Sequence, residues 1–245
     1  MSGEPVPAGV TILWEDEDLL VVNKPAGLVV HPTYKNAGGT LLDLLRQQLP
    51  DPPAIVGRLD RWTSGLVVVA RHAVAHAALQ RAMAAADCEK DYLAFVHGSV
   101  MKAREIDLRI RIDENDRRRV VAARDRGSPS VTRIVPVAAR DCGGFSLSMV
   151  RCRISSGRRH QIRAHLAACG WPIVGDDIYG DAALDAAIGA LIPASPSRPR
   201  HALHAWRLAV THPRSRTPLI VTAPLPRDLV PLSDYLEATD LATAS

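Results

Sequence analysis

With 245 residues, 47% of them hydrophobic, the chain can bury a sizeable core in one large domain or two small ones, which excludes disorder as its default state. A formal charge of +4 and a sequence pI of about 9.1 point toward nucleic acid without establishing it, and the longest apolar run, Leu66 to Ala70, is too short to span a bilayer. Met1 to Gly9 carries no basic and apolar leader, and Cys88, Cys142, Cys152 and Cys169 form no C-x-x-C pair, so a cytoplasmic protein with reduced thiols is expected.

In chain order, Val10 to Trp14 and Leu19 to Asn23 read as strands around the acidic turn Glu15 to Asp18, and Lys24-Pro25-Ala26-Gly27 breaks the chain. Thr40, with Asp43 three residues on, caps a helix bearing Leu41, Leu44, Leu45 and Leu49, which Pro50 ends. Leu66 to Ala70 reads as a strand buried on both faces. Ala75, Leu79, Ala82 and Met83 mark a second helix, and Tyr92 to Val96 a strand. Arg104 to Val137 alternates apolar runs with turns, as surface hairpins do. From Phe145 to Ile154 the apolar phase slips by one, the mark of a bulge. A helix carrying Ile162, Leu166 and Cys169 stops at Gly170. Leu184 to Pro199 reads as a loop, Ala202 to Thr211 and Leu219 to Thr222 as closing strands, and Pro226 to Thr239 as a terminal helix. The class expected is α+β, with a mixed, mostly antiparallel sheet. One domain over 11–238 is expected, between a loosely ordered start (1–10) and a frayed tail (239–245).

Two arginine clusters stand out. The first runs from Arg109 to Arg133 and the second holds Arg151, Arg153, Arg158, Arg159 and Arg163. Guanidinium forks suit phosphate oxygens, but Asp113, Glu114, Asp116 and Asp125 leave a solvated ion-paired face equally open for the first. Metal-ligand spacing is absent. His160 and His165 lie about 140° apart around a helix, and His201 and His204 fall on opposite faces of an extended stretch. No phosphate-binding glycine motif or Gly-x-Ser-x-Gly elbow occurs, so neither metal nor cofactor is expected.

Asp60 is the carboxylate that remains, flanked by Arg58 and Arg61 and followed by Thr63-Ser64-Gly65 before the most apolar strand. Partial desolvation and a nearby arginine together keep an anion able to attack carbon or take a proton. From the local residues alone, a turn aspartate in a structural ion pair is the commoner arrangement. A second basic constellation, Ser156-Gly157-Arg158-Arg159-His160-Gln161-Ile162-Arg163, stands where a helix start favours anions, with Arg159, His160 and Arg163 on one face.

Together these stretches resemble the RluA family of RNA pseudouridine synthases. Gly57 to Gly65 is similar to that family's H-R-L-D-x-x-T-S-G motif, and Val21 to Gly27 to its first motif. Glu89 to Gly98 resembles its K-x-Y-x-A-x-V-x-G strand, and Ser156 to Gly180 its T-G-R-x-H-Q-I-R and P-I-x-G-D-x-x-Y-G segments. Leu203 to Leu208 with Thr211-His212-Pro213 resembles its L-H-A and H-P segment. The match keeps the family's order from about Thr11 to Pro224. The resemblance implies an RNA-uridine isomerase on structured ribosomal or transfer RNA, without cofactor. Asp60 would be the catalytic aspartate, Tyr92 would lie against the target uracil as a candidate base, and Arg163 would pair with Asp60. Arg58 would help displace the base, and Ile162, or an aliphatic neighbour, would line its pocket. Arg61, Thr63, Arg158, Arg159, His160 and Gln161 would complete the RNA contacts. One dominant carboxylate suits a reaction that retains the detached base, whereas glycoside hydrolysis uses two. Asp176 or Asp177 would be the only second acid, and the resemblance makes both structural.

The chain departs from the family at Gly57, where histidine is usual, and at Ser156, where threonine is usual. No room before Thr11 is seen for an S4-type RNA-binding domain, so RNA choice is expected to rest with the catalytic domain, including the Arg109 to Arg133 hairpins. A monomer is expected. The rival reading is a non-catalytic RNA-binding or RNA-folding protein on the same scaffold.

Overall fold

The computed structural model describes residues 10–32, 38–197 and 199–238, so the expected loose start and tail lie outside the described residues, apart from Val10. The chain opens with β1 (Thr11–Glu15) and β2 (Leu19–Lys24), then α1 (Leu41–Arg46), β3 (Ala54–Val56), β4 (Ser64–Ala70) and α2 (Ala73–Ala84). Next come β5 (Glu89–His97), β6 (Arg104–Asp107), β7 (Arg109–Ile112), β8 (Val120–Ala123), β9 (Val131–Asp141) and β10 (Ser146–Ile154). It closes with α3 (Gln161–Ala168), α4 (Ala182–Leu191), β11 (Leu203–Thr211), β12 (Pro218–Thr222) and α5 (Val230–Glu237).

The chain divides into two compact units. The first draws on the chain up to Tyr92, on Ile154–Arg159 and on His204–Pro224. Within it β4 pairs antiparallel with β2 and β3 but parallel with β11, while β1 extends β2 and β12 extends β11. All seven residues of β4 are buried, as a continuous apolar strand covered on both faces requires. Leu20, Val21, Val22, Val67, Val69 and Leu79 share its core, each such side chain contributing roughly 1.5–3 kcal/mol of burial. The Thr40–Asp43 capping box that starts α1 forms as expected.

The second unit draws on Leu93–Arg153, His160–Leu203 and the chain from Leu225. Here β6 pairs antiparallel with β9, and β7 with β8 forms a separate arginine-bearing hairpin. Helix α3 ends as its Gly170 predicts: at φ +80° that residue donates to Ala167, and Trp171 donates to Leu166. In β10, Leu147 through Val150 are buried in succession before burial alternates at Cys152 and Ile154, so the apolar phase does slip there.

Two expectations are corrected. The stretch read as a loop from Leu184 to Pro199 opens with α4, whose Asp181 cap accepts from the N–H groups of Ala183 and Leu184. Its many alanines are the strongest helix formers, and Pro193 marks the stop. The terminal helix is also shorter than 226–239, because the Pro226 carbonyl accepts from Leu229 in a turn before α5 begins.

Candidate active site

Asp60 is half-buried in the loop between β3 and β4, and several bonds within the first unit fix that loop. The Thr63 N–H donates to the Asp60 carbonyl at 3.1 Å. The Arg61 carbonyl accepts from the Gly27 N–H at 2.9 Å and from Lys24 Nζ at 3.1 Å. Arg61 Nε returns a bond to the Gly27 carbonyl, and its guanidinium lies 5.2 Å from the centre of the Trp62 ring. Lys24 is fully buried, and its ammonium also donates to the carbonyls of Pro25 and Leu28. A buried ammonium is tolerated only where such acceptors surround it.

The loop's far end is anchored on β11. Ser64 Oγ lies 2.9 Å from His204 Nδ1, whose Nε2 is 3.4 Å from the Ala223 carbonyl. The consistent assignment has His204 Nε2–H donating to the carbonyl and Ser64 donating into Nδ1. Gly65 is required here: at φ +110° a Cβ would lie 2.2 Å from the Ala205 carbonyl oxygen. Gly57, where the family usually has histidine, also has a positive φ, +86°, but nothing crowds a Cβ there. Its backbone is hydrogen-bonded by His31, whose pKa is pushed down by burial and by the charges of Arg58 and Arg46.

Tyr92, on β5, is partly exposed as a residue, but its hydroxyl is out of water. Burial, and then the negative charge of Asp60, push its pKa well above the ordinary value. The phenol is therefore neutral at physiological pH and is a poor base while Asp60 is charged. It borders a cavity of about 260 Å³, together with Arg58, Leu66, Val68, Lys90, Arg207 and Leu208.

In the second unit, α3 carries Arg163, which is 3% exposed. Its Nε and one terminal nitrogen grip the Asp176 carboxylate at 2.7 and 2.8 Å. Burial alone would raise the Asp176 pKa, but the Arg163 hydrogen bonds and charge overcome it and hold the carboxyl down at about 2. Tyr179 ties this corner together. Its ring lies 5.3 Å from the Arg163 guanidinium and 5.4 Å from that of Arg119. Its hydroxyl accepts from the Val120 N–H at 2.8 Å and meets His160 Nδ1 at 3.1 Å. His160 itself has a left-handed φ of +51° at the helix start.

The expected site residues are drawn from both units, with Ile162 and Arg163 on α3 of the second. Asp60, Arg58, Arg61 and Tyr92 belong to the first unit, and Arg158 and Arg159 lie exposed in the loop before α3. The helix begins only at Gln161, which corrects the expectation that Arg159 shares a helical face with Arg163. Gln161 is buried, and its amide donates to the Val131 carbonyl and to Thr132 Oγ1, so that side chain ties α3 to β9. Thr63 is likewise 2% exposed and closes the Asp60 turn, and Ile162 is buried. Sequence reasoning missed His31, His204 and Tyr179 as organisers. Each is bonded to a segment distant in sequence, and only motif membership marked the last two.

Among the described residues one metal-like trio occurs, Asp16, Asp18 and His212, with ligand atoms within 4.8 Å of one another. Its oxygens are already engaged: Asp18 accepts from Arg214 and His72, and Asp16 from two backbone N–H groups and His212. The trio ties β1 and β2 to the turn after β11.

A family model described as RNA pseudouridylate synthase matches residues 18–168, a segment holding both Asp60 and Tyr92. The chain belongs to the RluA family of RNA pseudouridine synthases. It is 38% identical over 237 residues to the ribosomal large subunit pseudouridine synthase D of Nitrosomonas europaea, covering 94% of this chain and 66% of that one. It is also 38% identical to the protein of the same name from Xanthomonas campestris pv. campestris, covering 95% of this chain and 71% of that one. The chain thus spans about two-thirds of the length of these relatives. Human RNA Pseudouridylate Synthase Domain Containing 1 superposes with a TM-score of 0.70 at 26% identity, covering 98% of each chain. The family fold agrees with the α+β class and the mixed sheet described above. Among the described residues, no helix is long and apolar enough to cross a membrane.

Proposed function

We propose that the protein is an RNA pseudouridine synthase that isomerises uridine in structured RNA, with Asp60 as its catalytic carboxylate. The reading is carried by Asp60 and Tyr92 falling together in the segment that matches the RNA pseudouridylate synthase family, with the Asp60 charge acting on the Tyr92 hydroxyl. A turn aspartate serving only a structural ion pair has no need of a buried phenol within reach of its charge. RNA of the large ribosomal subunit is the proposed substrate, on the strength of the relatives' names.

The reaction breaks the bond from uracil N1 to the ribose and forms one from C5. It is an isomerisation and consumes no cofactor. The reacting base must leave the stack, paying a few kcal/mol of unstacking, and exposed Arg58 and Arg61 can offset this through phosphate or base contacts. Asp60 acts as nucleophile or base toward the nucleotide. When its charge is neutralised, by bond formation or by proton uptake, one of the three causes raising the Tyr92 pKa is lost. The phenol then ionises more readily, and as the phenolate, its own proton released to water, it can take the C5 proton. Arg163, held rigid by Asp176, supplies a preoriented cation whose role here is to stabilise the carboxylate or the developing charge. Arg158, Arg159 and His160 complete the polar RNA contacts.

The test is to incubate the protein with bacterial ribosomal and transfer RNA lacking pseudouridine and to map new sites. Pseudouridine at one or a few positions of large-subunit RNA is expected. No pseudouridine on any RNA would overturn the reading in favour of an RNA-binding protein.

A further inference from the structure

The cavity of about 260 Å³ in the first unit is bordered by Tyr92 and Arg58, but Asp60 does not line it. It therefore adjoins the reacting carboxylate without being the chamber in which that carboxylate meets its target. Its walls are apolar, with Leu66 and Val68 from β4, Leu208 from β11 and Met83 from the last turn of α2. Its polar groups are held in place. Lys90 Nζ donates to the Met83 carbonyl at 3.0 Å, and Arg207 is fixed by Glu89 at 2.6 Å and by Asp91 at 3.3 Å.

This chemistry suits a flat heterocycle with a hydrogen-bonding edge. A phosphate would gain less there, because the walls are apolar and the Arg207 charge is already offset by Glu89 and Asp91. A purely aliphatic group would leave the polar rim without a counterpart. The volume is several times the ~30 Å³ share of one liquid water. We propose that this cavity receives a second RNA base, a neighbour of the target uridine turned out of the stack with it, so that the protein reads two bases and not one. The inference rests on the proposed function. It makes Met83, Lys90 and Arg207 specificity residues beside the Asp60 chemistry. Base–aromatic stacking is the type of contact that would hold such a neighbour, with Tyr92 as the aromatic wall.

The experiment uses the RNA segment that the wild-type protein modifies, with each nucleotide flanking the target replaced in turn by an abasic one. Turnover is measured for wild type, Met83→Trp, Met83→Ala and Lys90→Ala. Met83→Trp fills the cavity from a partly exposed helix end, Met83→Ala leaves it open, and Lys90→Ala alters only the rim. In wild type, one abasic position is expected to raise KM about tenfold, with kcat changed less than about twofold. Met83→Trp should raise KM on intact RNA by a similar factor and become indifferent to that abasic position. Met83→Ala should keep the abasic penalty, and Lys90→Ala should reduce it. An active wild type that is indifferent at every flanking position, or an undiminished penalty in both Met83→Trp and Lys90→Ala, overturns the second-base site alone. A wild type that modifies no RNA overturns the proposed function and this inference with it.

Discussion

Tyr92 is where burial and chemistry meet most directly. Its hydroxyl is kept protonated chiefly by loss of water and secondarily by Asp60. Tyr92→Phe keeps the ring for stacking but removes the proton site, so kcat should fall by ~10²-fold or more while KM moves little. Steady-state kinetics on the mapped RNA segment checks the split, and a rise in KM with unchanged kcat would make Tyr92 a binding platform only. At this scale the sequence was informative about residue types and less so about partners. Asp60 stood out because it is an aspartate between two arginines before an apolar strand, and the ordered motifs weighed it toward chemistry. That Gln161 and Thr63 are buried could not be read, since a polar side chain beside a motif looks the same whether it faces RNA or a backbone carbonyl. Lys24 is the clearest case. A lysine at a strand end predicts exposure, and only the fold supplies the three carbonyls that permit its burial.

Among the elements, α3 and the hairpin of β7 and β8 meet through Tyr179. Tyr179→Phe keeps the ring between Arg119 and Arg163 but leaves the Val120 N–H without its acceptor, a loss of about 1–3 kcal/mol for a buried donor. Thermal or urea unfolding should register it. Asp176→Ala would take the bidentate partner from the buried Arg163 charge, leaving Asp177 at 3.5 Å, and should cost up to about 3–5 kcal/mol. The same pair has a pH signature. The folded carboxyl is held at about 2, below its ordinary 3.8, so its contribution is complete above pH 4 and is lost as pH falls through 2. Helix α3 itself was legible from Ile162, Leu166 and the stop at Gly170. Its start was not, because His160 begins it in a left-handed conformation with no side-chain cap to signal the boundary. Helix α4 was missed because alanine, proline and serine were weighed together, although the prolines and serines fall only after Leu191.

For the whole molecule, the α+β class and the buried central strand followed from periodicity. The division into two compact units did not, since both units are built from segments far apart in the chain. Two of the described histidines contribute to its behaviour near neutrality. His31 and His165 both have pKa values pushed below 6.5, chiefly by burial. The unfolded chain therefore binds protons first, and stability should fall as pH drops from 7.5 to 5.5. Asp16, Asp18 and Asp176, whose pKa values are also lowered, contribute only below about pH 4. Melting temperatures across that window test this, and His165→Gln should flatten the dependence. RNA affinity should weaken with salt, and Arg158→Ala and Arg159→Ala should each reduce the slope of log K against log salt by about 0.7–0.9 if each holds one phosphate.

The central claim is that Asp60 performs the isomerisation, and Asp60→Asn tests it with almost no change in shape. Pseudouridine formation on the mapped RNA segment should drop by at least ~10²–10⁴-fold, with RNA binding and melting temperature close to wild type. A variant that still forms pseudouridine at the wild-type rate would contradict the account.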